Sequence, residues 1–389
     1  MARSYDVVVV GAGVTGAATA YFLKKAGVER VLMLDRRGIA AGGTGRSAAI
    51  IRHHYSNPLL VKLTMDGVTI LKSLPDEVGA DPGFTQDGWF FLVPPDLMDG
   101  ANENLAMQQG LGVKTGFLAE SDYPTMVPWL NTDGVGGVVH EPEGGYVDPV
   151  MATEALAKGF TDMGGELRTN TSCRELRRDG DRIIGVTLDD GEIDAGAVVN
   201  AAGPWSHLLA QSADLELPLR VVREQDTIWQ VRHPADMPTQ SISNAVDAIY
   251  MRPMGEGRYV IGRGFPKEYF DTDPYNFKET EDDDFVKVVS ERSENRFPPF
   301  AGAKLVHGYG ATYDVSPDWY PIVGARDGLA GYFDASGGSG HGFKIGFGIG
   351  RQLAGWIIDG TAADDFRALS NDRFAAGKMF QQKYGGNRG

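Results

Sequence analysis

Val7 to Val10 form an unbroken apolar run that gives way at once to Gly11-Ala12-Gly13-Val14-Thr15-Gly16, and Ala17 to Lys25 then carry helix-forming residues. A β-branched run followed by closely spaced glycines and a helical stretch predicts a buried strand, a tight turn and a helix N-terminus in that order. A second apolar run, Val31 to Leu34, predicts the next strand and ends on Asp35. Pro58 to Leu74 read as a helix stopped by Pro75, and Val150 to Met163 as another stopped by Gly164-Gly165. Glu166 to Leu176 and Ile183 to Leu188 read as strands, and Ala197 to Ala202 is an apolar strand running into Gly203-Pro204-Trp205-Ser206. The last third closes with a strand at Gly331 to Ala335, a glycine-rich loop and a helix reaching Ile358.

Two stretches interrupt this pattern. Residues 81–145 are aromatic and punctuated by Pro and Gly, as in Gly88-Trp89-Phe90-Phe91-Leu92-Val93, and predict strands of a pocket wall. Residues 221–314 contain Ala248 to Pro253 and Arg258 to Gly262, which predict a hairpin joined through Met254-Gly255-Glu256-Gly257. The acidic run Glu279 to Asp284 opens a helix toward Arg292, where acids complement the helix dipole. The expected fold class is α/β (α+β overall). A Rossmann-like nucleotide-binding domain is assembled from 1–80, 146–220 and 315–389, and a mixed or antiparallel β-sheet substrate domain is inserted as 81–145 and 221–314. That much return to one domain is more than an NAD enzyme ordinarily needs.

The opening loop is a dinucleotide cradle. Gly11 permits the sharp turn, Gly13 the approach of a pyrophosphate, and Gly16 the close packing of helix on strand, while the amides around Val14 and Thr15 sit at the positive end of the helix. Asp35, with Arg36 beside it, stands where an acid accepts hydrogen bonds from an adenosine ribose, which argues against a 2′-phosphate. Gly43-Thr44-Gly45-Arg46-Ser47-Ala48 form a second glycine-rich segment, and Ala202, Gly203 and Trp205 end a strand where a ligand can approach the backbone. Cys173 is a further candidate contact.

The formal charge of −15 disfavours nucleic acid and anionic membranes as partners and means that an anionic substrate must meet local positive charge. A single cysteine excludes an internal disulfide framework and fits a reducing cytoplasm. No window reads as a membrane span or targeting signal, and no second His, Cys or acid stands at metal-ligand spacing from His53 or His54, so no metal is expected.

Gly337-Gly338-Ser339-Gly340-His341-Gly342-Phe343-Lys344 lies between the last predicted strand and helix. Amides of Gly338, Gly340, Gly342 and Phe343 are suited to an anionic or electron-accepting ring, and Lys344 in the first helical turn opposes the dipole, so helix stability does not account for it. A second cationic group follows the glycine-rich segment as Arg52-His53-His54-Tyr55. Arg252, beside Tyr250 on the inserted sheet, either aims its planar fork at a substrate carboxylate or pairs with a surface acid.

Together, the opening cradle, Gly203-Pro204-Trp205 and Ser339 to Lys344 resemble the D-amino acid oxidase superfamily of FAD enzymes. Gly43-Thr44-Gly45-Arg46-Ser47, Ile50-Ile51-Arg52, Tyr313-Asp314 with Ser316-Pro317-Asp318, and Pro321-Ile322-Val323-Gly324 narrow the resemblance to the sarcosine oxidase and dimethylglycine dehydrogenase branch. It covers essentially the whole chain. It implies FAD extended along the Rossmann-like domain, its ring at the border with the substrate domain, and a substrate carboxylate held by Lys344 and Arg52. Three departures carry implications. Gly310-Ala311-Thr312 lacks the cysteine that attaches FAD in monomeric members, so FAD is expected to be noncovalent. Gly144 to Asp148 lacks the histidine associated with a second flavin, so no FMN is expected. Tyr259 to Gly262 carries no lysine and Lys267 is out of alignment, so the resemblance does not extend to fast reaction with O2.

The expected chemistry is oxidation of a secondary or N-methyl amino acid to an imine that hydrolyses, with His53 or His341 favouring the neutral amine and Arg252 and Tyr250 assisting. One alternative is a dehydrogenase subunit passing electrons to a partner or quinone; another, from a different class, is a non-catalytic flavin-stabilised assembly subunit. Either a homo-oligomer or a hetero-oligomer is compatible with the sequence.

Overall fold

The computed structural model describes residues 3–381. The β-branched run forms the strand Arg3–Val10 inside an eight-stranded sheet, pairing in parallel with Val31–Leu34 on one side and Gly191–Asn200 on the other. Val7 and Val9 enter the core beneath the helices, whereas Val8 and Val10 enter a second core on the opposite face. The absence of alternation therefore reflects a strand covered on both sides. Glu166–Arg168 extends the parallel set beyond Val31–Leu34, and Leu329–Ser336 extends it beyond Gly191–Asn200. The chain leaves Arg3–Val10 first to one side and later to the other, so the carboxyl ends of Arg3–Val10 and Gly191–Asn200 form a switch point, where such sheets leave a crevice.

Helix Gly342–Asp359 packs between Val14–Lys25 and Pro58–Val78, and its glycines make that possible. A Cβ at Gly348 would meet Leu63 O at 2.3 Å, and one at Gly350 would meet Ala18 Cβ at 2.4 Å. Gly350→Ala is therefore expected to destabilise the fold by about 1–3 kcal/mol through overpacking, read as a lower denaturant midpoint with an unchanged slope.

A nine-stranded, largely antiparallel sheet is built from the strands between residues 89 and 141 and those between 220 and 315, and the parallel pairing of Trp89–Val93 with Ser241–Asn244 makes it mixed. Ile249–Pro253 and Arg258–Arg263 form the expected hairpin within it. A small sheet of Ile50–Ile51, Gly145–Val147 and Phe84–Thr85 stands beside them. The fold is mixed α/β, with a Rossmann-like helix and sheet arrangement and a separate β-sheet region.

Two local expectations are corrected. Pro75 lies within the helix Pro58–Val78, which ends at Gly79 in the left-handed conformation with φ 63°. The helix runs one turn past the proline and is closed there by the Gly79 amide, which donates to Pro75 O at 3.0 Å. The strand expected over Glu166 to Leu176 is two strands, Glu166–Arg168 and Cys173–Asp179, interrupted where Asn170 takes φ 52°. That break turns Thr171 and Ser172 onto the wall of the main cavity.

Candidate active site

A cavity of about 480 Å³ runs between the carboxyl edge of the eight-stranded sheet and the inner face of the nine-stranded sheet. At its start Gly11 adopts φ 112°, and a Cβ there would lie 2.2 Å from Ala201 O, so the two central strands close at the cradle only because this position is glycine. Gly13, Val14 and Thr15 line the cavity. Gly16 does not; a Cβ there would meet Gly11 O at 1.9 Å, and it serves the packing of helix on strand. Thr44 ties the second glycine-rich segment to the first by accepting from the Val14 amide on Oγ1 at 3.1 Å. Gly43, Arg46, Ser47 and Ala48 also line the cavity, while Gly45 is off the wall and packs on Ala40 O.

At one end Asp35 accepts from the amides of Ala12 at 3.0 Å, Arg37 at 2.8 Å and Gly38 at 3.0 Å, which fixes its carboxylate on the wall. Arg36 stacks 3.9 Å from the Trp205 ring and 4.9 Å from that of Tyr275. Cys173, Ala202 and Gly203 complete this end. Burial pushes the Cys173 thiol up to about 12, so it stays protonated at neutral pH.

At the other end stand Lys344 and Arg52. Asp314 holds the loop before Lys344 by accepting from the amides of Gly337 at 2.7 Å and Gly338 at 3.2 Å. Gly338, Gly340, His341, Gly342 and Phe343 follow along the wall to Lys344, the third residue of its helix. Lys344 is buried, and among the described residues its ammonium makes no hydrogen bond or ion pair. Burial, reinforced by the nearby Arg52 charge, holds it well below the ordinary lysine range. Arg52 donates to His54 O and lies over the rings of Tyr55 at 4.8 Å and Trp89 at 5.7 Å.

Three sequence candidates lie differently from expectation. His53 faces away from the cavity, its amide and ring Nδ1 meeting Glu141 Oε1 at 2.8 and 2.6 Å. Its neighbour His54 takes the wall, because adjacent residues of an extended segment point to opposite sides. His341 is on the wall, but Nε2 donates to Trp319 O at 2.8 Å, leaving Nδ1 to accept from the Tyr55 hydroxyl at 3.3 Å. Burial, with Lys344 next in effect, lowers it to about 3, so it is neutral and a poor proton acceptor. Arg252 is off the wall, donating to Ala48 O at 2.5 Å and Pro253 O at 2.9 Å, and thereby clamps the glycine-rich segment. Tyr250 is on the wall, its hydroxyl hydrogen-bonded to Asp226.

Of the large aromatics on the inserted strands, Trp89 lines the cavity, while Phe90 and Trp229 sit in the core behind the sheet. The functional candidates that sequence reasoning missed are Asp226 and Glu224 on the strand Arg220–Gln230. Their signal was two acids at alternate positions between Val222 and Ile228, a charged face on an otherwise buried strand.

The profile of the family described as FAD dependent oxidoreductase (DAO) matches residues 6–356. The chain belongs to that family. Among relatives of this FAD-dependent family, 4-methylaminobutanoate oxidase (formaldehyde-forming) of Paenarthrobacter nicotinovorans is 28% identical over 95% of this chain and 45% of its own length. Sarcosine oxidase subunit beta of Arthrobacter sp is 27% identical over 98% of this chain and 93% of its own. The crystal structure of L-proline dehydrogenase from P.horikoshii superposes with a TM-score of 0.89 at 25% identity, covering 98% of this chain and 100% of that one. The chain spans less than half the length of several curated relatives that it matches.

The residues present fit FAD. The wall is glycine-rich where a dinucleotide passes helix N-termini, and Trp205 Nε1 is a buried donor that lacks a hydrogen bond among the described residues. In the described residues no cluster of three or more His, Cys, Asp or Glu side chains is arranged to hold a metal, and no helix is long and apolar enough to cross a membrane.

Proposed function

We propose that this chain oxidises a secondary or N-methyl amino acid, with FAD held noncovalently along the cradle and the substrate carboxylate held by Lys344 and Arg52. FAD, when bound, supplies the two-electron acceptor that takes hydride from the carbon next to the amine. The observation that carries the reading is the Lys344 ammonium, buried beside a second cation and, among the described residues, without a hydrogen bond or ion pair, because a buried charge of that kind needs an anion. Arg52 offers a planar fork for the same carboxylate. The Tyr55 and Trp89 rings lie against Arg52, and the Tyr55 ring also lies 6.0 Å from the Lys344 ammonium. Sarcosine and proline, named for two of the relatives, share a carboxylate next to a secondary amine, which is the chemistry these side chains suit. Noncovalent attachment is favoured because Ala311 and Thr312 line the cavity with no cysteine beside them and Cys173 remains a thiol. One flavin and no FMN are part of the proposal.

Anaerobic mixing with sarcosine, dimethylglycine, proline, glycine and longer N-alkyl amino acids tests it: at least one secondary amino acid bleaches the flavin absorbance. If no member of the panel bleaches it, the reading fails.

One observation favours transfer of the electrons to an acceptor other than O2. Lys267 is off the cavity wall, with Nζ held by Glu224 at 2.5 Å and Arg263 O at 2.9 Å. Reoxidation by an artificial acceptor is expected to outrun reoxidation by air, and the reverse order would return the chain to the oxidases.

A further inference from the structure

Oxidation of an amino acid requires a second recognition element, because the substrate nitrogen arrives protonated and hydride leaves only from the neutral amine. The two histidine candidates, His53 and His341, are disqualified by geometry, one turned onto Glu141 and the other donating to Trp319 O. The nine-stranded sheet supplies a different group.

Tyr250, Gly262, Asp226 and Tyr309 lie side by side across four neighbouring strands, since Gly262 is paired with both Tyr250 and Asp226, and Asp226 with Tyr309. The glycine in that row is what joins the others. A Cβ at Gly262 would stand 2.1 Å from Asp226 Oδ1 and 2.3 Å from Tyr250 Oη, so any side chain there would separate them. With none, the Tyr250 hydroxyl crosses over the intervening strand and donates to Asp226 Oδ1 at 2.8 Å, while Tyr309 donates to Oδ2 at 3.4 Å. Asp226 and Tyr250 both line the cavity that also holds Lys344 and Arg52.

The neighbouring acid is already neutralised. Glu224, also on the wall, receives the Lys267 ammonium at 2.5 Å. Asp226 is different: it is buried, and its hydrogen-bond partners among the described residues are the two phenolic hydroxyls. A buried carboxylate facing a cavity, with no cation in contact among the described residues, calls for one from the ligand. The cavity thus presents a cationic pair on the wall formed by residues 52 and 344 and a carboxylate on the wall formed by residue 226, which is the charge pattern of a zwitterion.

We infer that Asp226, oriented by the Tyr250 hydroxyl, receives the substrate's protonated amine and takes one N–H proton onto its carboxylate, the bonding pair returning to nitrogen. The inference rests on the amino-acid reading proposed above. It involves proton transfer alone; the pair returned to nitrogen is what allows the adjacent carbon to give up hydride. Burial pushes Asp226 up to about 7, against the pull of the Tyr250 hydrogen bond and the Lys267 charge, so the carboxylate is poised to change protonation near neutrality. The ionisable groups around it are Tyr250 and Arg252 on one strand, Tyr309 and Tyr313 on another, Glu224 on its own strand, and Lys267. Tyr250 is held well above the ordinary tyrosine range by burial and by Asp226, and therefore donates throughout the neutral range.

The test uses the holoenzyme under anaerobic conditions, following flavin reduction at saturating N-methyl amino acid as a function of pH. The wild-type rate is expected to fall as pH drops below about 7, where Asp226 becomes protonated and cannot accept the amine proton. Asp226→Asn is expected to slow reduction at neutral pH by roughly 100-fold or more and to lose that acid limb, with Asp226→Glu restoring part of the rate. Tyr250→Phe removes the donor that stabilises the carboxylate, so its limb moves to higher pH. This variant decides the matter if Asp226→Asn fails to fold. A second readout needs no turnover: the wild type binds an N-methyl amino acid more tightly than a plain carboxylate of equal size, read by perturbation of the flavin spectrum, and Asp226→Asn abolishes the preference. An unshifted limb in both variants, or a preference that survives in Asp226→Asn, overturns the inference. Failure of the wild type to bleach with any amine, while Asp226→Asn abolishes the amine preference, instead overturns the redox reading and leaves the recognition element standing.

Discussion

Lys344→Met is expected to weaken binding of a substrate carboxylate by about 2–5 kcal/mol, roughly 30-fold to several thousand-fold in Kd, because it removes one partner of a buried charge pair. The loss should be read in Kd and in the rate of flavin reduction together, with Arg52→Ala weakening binding through loss of the fork. The same lysine predicts a pH dependence. Its folded-state pKa lies well below the ordinary value, through burial and the Arg52 charge, so anion affinity falls as pH rises through that depressed pKa. Lys344→Met flattens this limb. The effect on stability has the opposite sign. A lysine depressed in the folded state binds fewer protons there than when unfolded, so the cost of burying it is greatest at low pH and is relieved as pH rises toward the unfolded value. Without ligand, Lys344→Met is therefore expected to be at least as stable as the wild type below that unfolded value. A variant that is less stable and binds carboxylates normally would mean that the ammonium has a structural role instead.

Gly11→Val is expected to cost about 2–6 kcal/mol, combining the strain of a β-branched residue at positive φ with overpacking. The added Cβ would lie 2.2 Å from Ala201 O, a backbone atom of the adjoining strand end that cannot turn aside. Since this contact closes the switch point beneath the cradle, loss of bound flavin should accompany the loss of stability. The checks are the ratio of flavin to protein after purification and the denaturant midpoint; a yellow, stable variant would show that the two strands separate without consequence.

The cradle was legible in the sequence because its signals agree at every level: the β-branched run, the glycine spacing and the acid ending the next strand each require the same local geometry. Lys344 was legible for a related reason, as a cation in a helical turn where the dipole opposes it. What escaped was set by long-range pairing. That Tyr250 reaches Asp226 depends on the register of three strands and on the empty position at Gly262, none of which periodicity within one strand reveals. His53 and His54 illustrate a second limit. Adjacent residues of an extended segment face opposite ways, and which one meets the cavity is decided by Glu141, 88 residues away in the chain. Arg252 was identifiable as a planar fork on the inserted sheet but not as a clamp on Ala48 O, because its acceptor is a backbone atom of a distant loop.

The most direct measurement of the central claim is a titration of the FAD-loaded protein with a simple carboxylate, recording the flavin absorbance in the wild type and in Lys344→Met. A saturable perturbation in the wild type that weakens at least 30-fold in the variant is the predicted result. A flavin spectrum that carboxylates leave untouched, or one perturbed equally in both proteins, would contradict an anion site at Lys344 and Arg52.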